Sequence, residues 1–120
     1  MTDISHEIRS EITSDGTLKL SLESVEKPEP KDGEVLIKIE ASPINPSDLG
    51  LLLGPADIST LKVNEGIAQM KVPESLIRSV NARLNQSLPV GNEGAGVVES
   101  AGKGAEELIG KVVGVAGGSM

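Results

Sequence analysis

The stretch LPVGNEGAGVVESAG, Leu88 to Gly102, decides how this chain is read. Gly91, Gly94 and Gly96 surround one carboxylate, Glu93, and the pattern then turns into the β-branched pair Val97 and Val98. This spacing predicts a tight, backbone-exposed turn feeding a strand over Gly96 to Ala101. Glycine is required where the chain takes a positive φ or where something approaches the backbone closely. A carboxylate held among such residues is fixed in direction by neighbouring N–H groups, which is how the wall of a site is built.

Outward from this stretch, the flanking sequence alternates with period two. Ile8 and Ile12, then Leu18, Leu20 and Leu22, mark two half-buried strands over Glu7 to Ser14 and Thr17 to Glu23. Asp15-Gly16 between them predicts a two-residue hairpin turn. His6, just ahead of the hairpin, reads as a solvated side chain. Glu26 to Gly33 is an extended connector, and Val35, Ile37 and Ile39 make Glu34 to Ala41 a third strand with Lys38 and Glu40 on its other face. On the C-terminal side, Gly102 to Gly104 is a turn, Glu106 to Ile109 at most one helical turn, and Lys111 to Ala116 a further strand. The sequence then runs through Gly118, Ser119 and Met120.

In Pro43-Ile44-Asn45-Pro46-Ser47-Asp48, each proline holds its predecessor out of the α region, so Asn45 is presented on a stiff loop. Ser47 or Asp48 can cap a short helix through Leu53, ended by Gly54-Pro55. Turn and cap duty would by itself account for both Asn45 and Asp48. Between Gly54 and Leu88, Leu61-Lys62-Val63 and Ala68 to Val72 flank Asn64-Glu65-Gly66 as a small hairpin. Pro73 then opens a helix to about Gln86, with Leu76, Ile77, Val80 and Leu84 on one stripe. That helix reads as packing; a lid or a dimer contact is the alternative.

Composition narrows the function. The 120 residues make one domain, and with 38% apolar residues and no Phe, Tyr or Trp its core must be built from Leu, Ile, Val and Ala. A formal charge of -7 disfavours nucleic acid and anionic membranes as partners. The absence of Cys excludes disulfides, thiolate catalysis and Cys-ligated zinc, and one His offers no triad base. No signal peptide or apolar span is present, so a soluble cytoplasmic protein is expected. Gly91, Gly94 and Gly96 lead into a strand in the wrong spacing for a dinucleotide fingerprint, Glu107 stands where Gly102 and Gly104 would need a third glycine, and Gly110-Lys111 is followed by Val112. No nucleotide-binding element is legible in these residues.

Three motifs together, ASPINPSD at Ala41 to Asp48, the glycine-rich stretch, and LIGKVVGV at Leu108 to Val115, resemble the catalytic-domain half of medium-chain dehydrogenases and reductases, closest to the zinc-independent quinone oxidoreductase branch. The resemblance covers most of the chain. It implies a mainly β fold, a GroES-like partly open β-barrel with one or two short helices. It also implies an N-terminal catalytic domain over 1–120 with an insertion at about 55–87, truncated before a Rossmann domain. In the zinc alcohol dehydrogenases of that family, a Cys stands at the place of Asn45 and a His at that of Asn92.

By resemblance, Asn45 would lie beside the nicotinamide and the substrate carbonyl, Pro46 and Asn92 would line the same pocket, and Glu93 would be a buried supporting carboxylate. The implied reaction passes hydride from NADP(H) or NAD(H), held mainly by the absent domain, to a quinone or enone without metal. Relatives often place a Tyr after the Asn-Pro-x-Asp motif; here there is none, so a phenolic proton donor is excluded. A homodimer is left open. The competing class is a non-enzymatic GroES-like barrel serving as an interaction or assembly module.

Overall fold

The computed structural model describes residues 4–117; His6 is exposed there, while Gly118, Ser119 and Met120 lie outside the described residues. The mainly β architecture is present. In chain order the elements are β1 Ile4–Ile12, β2 Thr17–Glu26, β3 Val35–Ala41, α1 Pro46–Leu52, β4 Asp57–Asn64, β5 Ile67–Lys71, a 3-10 helix Glu74–Arg83, β6 Leu88–Pro89, β7 Glu93–Ala101, a 3-10 turn Glu106–Leu108 and β8 Val112–Ala116. The strands form two open sheets, ordered β4-β5-β2-β1-β6 and β3-β7-β8. The chain separates into two compact units. Of the described residues, one holds 4–5, Val25–Pro43 and 91–117; the other holds His6–Ser24 and Ile44–Val90.

The second unit is built on two hairpins. In the first, the Gly16 N–H donates to the Thr13 carbonyl at 3.0 Å and the Thr13 N–H to the Thr17 carbonyl at 2.9 Å. Three residues, not the expected two, therefore make the loop, and only Gly16 takes a positive φ, +85°. A type I turn closed by a left-handed glycine has this form. Asp15 instead accepts hydrogen bonds from the Thr13 hydroxyl and the Thr17 N–H, and those bonds hold its carboxyl below the usual range. The expected second hairpin is present as β4 and β5, with Asn64 opposite Ile67 and positive φ at both Glu65 and Gly66.

The segment after Pro73 forms a 3-10 helix where the stripe predicted an ordinary helix. With three residues per turn, positions i and i+3 eclipse, so Ile77 and Val80 share one row while Leu76 falls on another. Ile77 and Val80 accordingly pack against the core, joined by Leu84 just past the helix, whereas Leu76 is 42% exposed. That core is Ile12, Leu18, Met70 and Val72, with Leu20, Leu53 and Ala56 around it. Met70 joins the aliphatic set because β2 pairs with β5 in a register that places it opposite Leu18.

In the first unit, β7 is the central strand, antiparallel to β3 and to β8. Gly96 sits opposite Ile39 on one side and Val113 on the other. A Cβ there would overlap the Lys38 carbonyl, so close backbone approach, not positive φ, requires the glycine. Val98 and Ala105 are the buried apolar residues of this unit.

Candidate functional site

The strand predicted to begin at Gly96 begins at Glu93, which places the carboxylate on β7 opposite Ala116 of β8. The turn ahead of it is made at Gly91, with φ +98°. Glu93 is thus set first by the β7–β8 ladder, where the sequence suggested turn amides. Asn92 is anchored through its carbonyl, which accepts the Gly117 N–H at 2.6 Å. One end of the three-stranded sheet opens into a cleft of about 610 Å³, lined by Ala41 to Pro43 after β3, Glu93 to Ala95 at the start of β7, and Gly114 to Ala116 at the end of β8.

Most of this lining is backbone and small side chains, a surface on which a flat ligand can lie, with Glu93 as its charged group. Glu93 is exposed, so the buried position implied by resemblance is not found in this chain: the cleft it lines is open. Asn92 is exposed and adjoins the cleft through Glu93 without lining it. The contributions of Ser42, Pro43 and Gly114 went unread because they depend on strand register, which a single sequence does not display.

Asn45 and Pro46 belong to the second unit, at the head of α1. Asn45 is the N-cap in extended conformation, φ -91° and ψ 157°, and Pro46 opens the helix. The cap is therefore Asn45, not Ser47 or Asp48. Proline suits the first helical position because its missing N–H would have had no intrahelical partner. The Asp48 N–H donates to the Asn45 carbonyl at 2.9 Å, and the Asp48 carboxylate accepts the Asn45 N–H at 2.8 Å, an arm of a capping box. Asp48 is 6% exposed, and its carboxylate serves this turn from the third helical position. The structure therefore pairs Asn45 with Pro46 and Asp48, and Asn92 with Glu93.

The family resemblance raises the question of zinc. By that resemblance Asn45 and Asn92 are amides at the places of a Cys and a His; the sequence has no Cys, and its one His is His6. Among the described residues no three His, Cys, Asp or Glu side chains are grouped to hold a metal ion. This donor set does not fit Zn²⁺, which takes sulfur and imidazole nitrogen first. Among the same residues, no helix is long and apolar enough to cross a membrane.

Residues 31–118 match the model of the alcohol dehydrogenase GroES-like domain. Over 34 residues the chain is 59% identical to a zinc-type alcohol dehydrogenase-like protein of Schizosaccharomyces pombe, a match spanning 28% of this chain and 10% of that protein.

Proposed function

We propose that this chain, which belongs to the alcohol dehydrogenase GroES-like domain family, is the substrate-side domain of a zinc-independent oxidoreductase that passes hydride from NAD(P)H to a quinone or enone. The observation that carries this reading is the donor set: Asn45 heads α1 where zinc relatives carry Cys, in a chain with no Cys at all. Hydride addition to a conjugated carbonyl leaves negative charge on its oxygen, and that charge needs a fixed hydrogen-bond donor where a metal would otherwise sit. The Asn45 amide is the donor, on a loop stiffened by Pro43 and Pro46. Glu93, at the rim of the first unit's cleft, is given no part in that step. With no Tyr in the chain, the final proton comes from water or from outside these residues.

The nicotinamide cofactor supplies the hydride; this chain supplies no phosphate cradle for it. The 120 residues alone should therefore show no micromolar NADPH binding by calorimetry and no quinone reduction, since the reaction depends on holding both reactants together. Elemental analysis of chelator-washed protein should find far less than stoichiometric zinc; one zinc per chain would end the zinc-free reading. The reaction itself is tested by following NAD(P)H oxidation against a panel of quinones and enones. The sample is the chelator-washed polypeptide that joins this domain to a dinucleotide-binding one. Turnover that survives chelation supports the proposal, and turnover restored only by zinc overturns it.

A further inference from the structure

The last carbonyls of a helix have no partner within it and must be satisfied from elsewhere. In α1 the Leu49 carbonyl accepts the Leu53 and Gly54 N–H groups, at 2.9 and 3.0 Å. The next two carbonyls are taken by residues far away in sequence. Arg83 donates from Nη1 to the Gly50 carbonyl at 2.9 Å, and the Ser10 hydroxyl donates to the Leu51 carbonyl at 2.5 Å. The two are joined, because Arg83 Nη2 donates to Ser10 Oγ at 2.9 Å. Ser10 is completely buried on β1, and Arg83 Nε is buried without a hydrogen-bond partner.

The guanidinium is committed to no carboxylate among the described residues, whose ion pairs are Arg9–Glu7 and Lys27–Glu99. The side chain is half-buried, with Nε out of water, and a cation in that position is held by whatever favours its charge. Here that is the negative end of α1, whose terminal carbonyls accept charge-assisted bonds. Arg83 is delivered there by the 3-10 helix, whose Ile77 and Val80, with the following Leu84, are anchored in the core. The segment read as an insertion at about 55–87 thus reaches the far end of the helix that Asn45 caps.

We propose that Arg83 is a positioning residue: together with Ser10 it clamps the C-terminal carbonyls of α1, and through that short helix it fixes the loop that presents Asn45. A helix of seven residues is too short to hold itself. It spans only roughly 10 Å, so loosening its C-terminal end is felt at its N-cap. The inference rests on the reading of Asn45 given above for its catalytic consequence, but not for the clamp.

The test compares Arg83→Met, which keeps the stem and removes every donor, with Arg83→Lys, which keeps the charge and reaches one acceptor at a time. Residue-resolved amide exchange on the full chain should show residues 49–53 exchanging on the order of tenfold faster in Arg83→Met, the equivalent of one charge-assisted bond. Arg83→Lys should fall between. The β7 and β8 amides should be unchanged, and the Asn45 side-chain amide resonances should move in Arg83→Met and return toward their places in Arg83→Lys. In the complete oxidoreductase, kcat should fall with KM nearly unchanged. Unchanged exchange in α1 overturns the clamp, as does equal acceleration of every amide in the second unit, which would make Arg83 a general stabiliser. Exchange and resonances that move while kcat does not support the clamp and remove the catalytic role given to Asn45.

Discussion

On the proposed function, Asn45→Asp in the polypeptide that joins this domain to a dinucleotide-binding one should lose most of its turnover while melting within a few degrees of the parent. The substitution separates the capping duty that the structure shows from the donor duty proposed for the same residue. Asn45 is the N-cap of α1 and shares a capping box with Asp48. The N-cap side chain serves there as an acceptor, a duty Asp fulfils about as well as Asn. The neighbouring bond, from the Asn45 N–H to the Asp48 carboxylate, involves backbone and survives any side-chain change. Asp has no N–H to offer a developing oxyanion, and its own charge opposes one. Losing a single fixed donor typically lowers the rate by roughly 10² to 10³, about 3 to 4 kcal/mol in the barrier. Asn45→Ala makes the complementary comparison, since removing the cap as well should cost about 1 kcal/mol of stability. Steady-state kinetics and thermal melts on the same preparations decide between the readings. A residue that only caps would leave Asn45→Asp fully active and Asn45→Ala active but less stable.

What the sequence revealed was local chemistry; what it hid was register. Period-two alternation located β1, β2 and β3, and Asn64-Glu65-Gly66 located the β4–β5 turn, because side-chain direction and turn geometry are written in neighbouring residues. The Asn45-x-x-Asp48 spacing carries the capping box, although Ser47 and Asp48 are equally good cap residues by type. After Pro73 the residues Leu76, Ile77, Val80 and Leu84 also fit a 3.6-residue period, so the sequence pattern does not distinguish the ordinary helix from the 3-10 helix that forms. Glu93 was placed in a turn because glycines suggest turns. Two of those glycines, Gly94 and Gly96, instead lie in β7, paired with Val115 and Val113. Arg83 could not be assigned a role at all: its partners are Gly50 and Ser10, brought to it by the fold and not by spacing.

The glycine at 96 should prove unforgiving to any side chain. A Cβ at Gly96 would overlap the Lys38 carbonyl oxygen and lie 2.7 Å from its carbon and 2.9 Å from Ile39 Cα. These are backbone atoms of β3, so no rotamer change relieves the contact, and β3 must move away from β7. Overpacking of this kind costs about 1–3 kcal/mol and occasionally more, and a clash with three backbone atoms of β3 puts Gly96→Ala at or beyond the upper end. A shift of that size lowers the melting temperature of a domain this small by on the order of 10 °C or more. Gly114→Ala is the control. Gly114 lies on β8 opposite Ala95, and a Cβ there meets nothing within 4 Å. With no contact to relieve and a less flexible unfolded chain, Gly114→Ala should be neutral or slightly stabilising. Melts of the two variants beside the parent give the answer. Equal, small effects would mean that β3 and β7 can part without penalty, and that the glycine of the Gly94-Ala95-Gly96 run serves something other than strand packing.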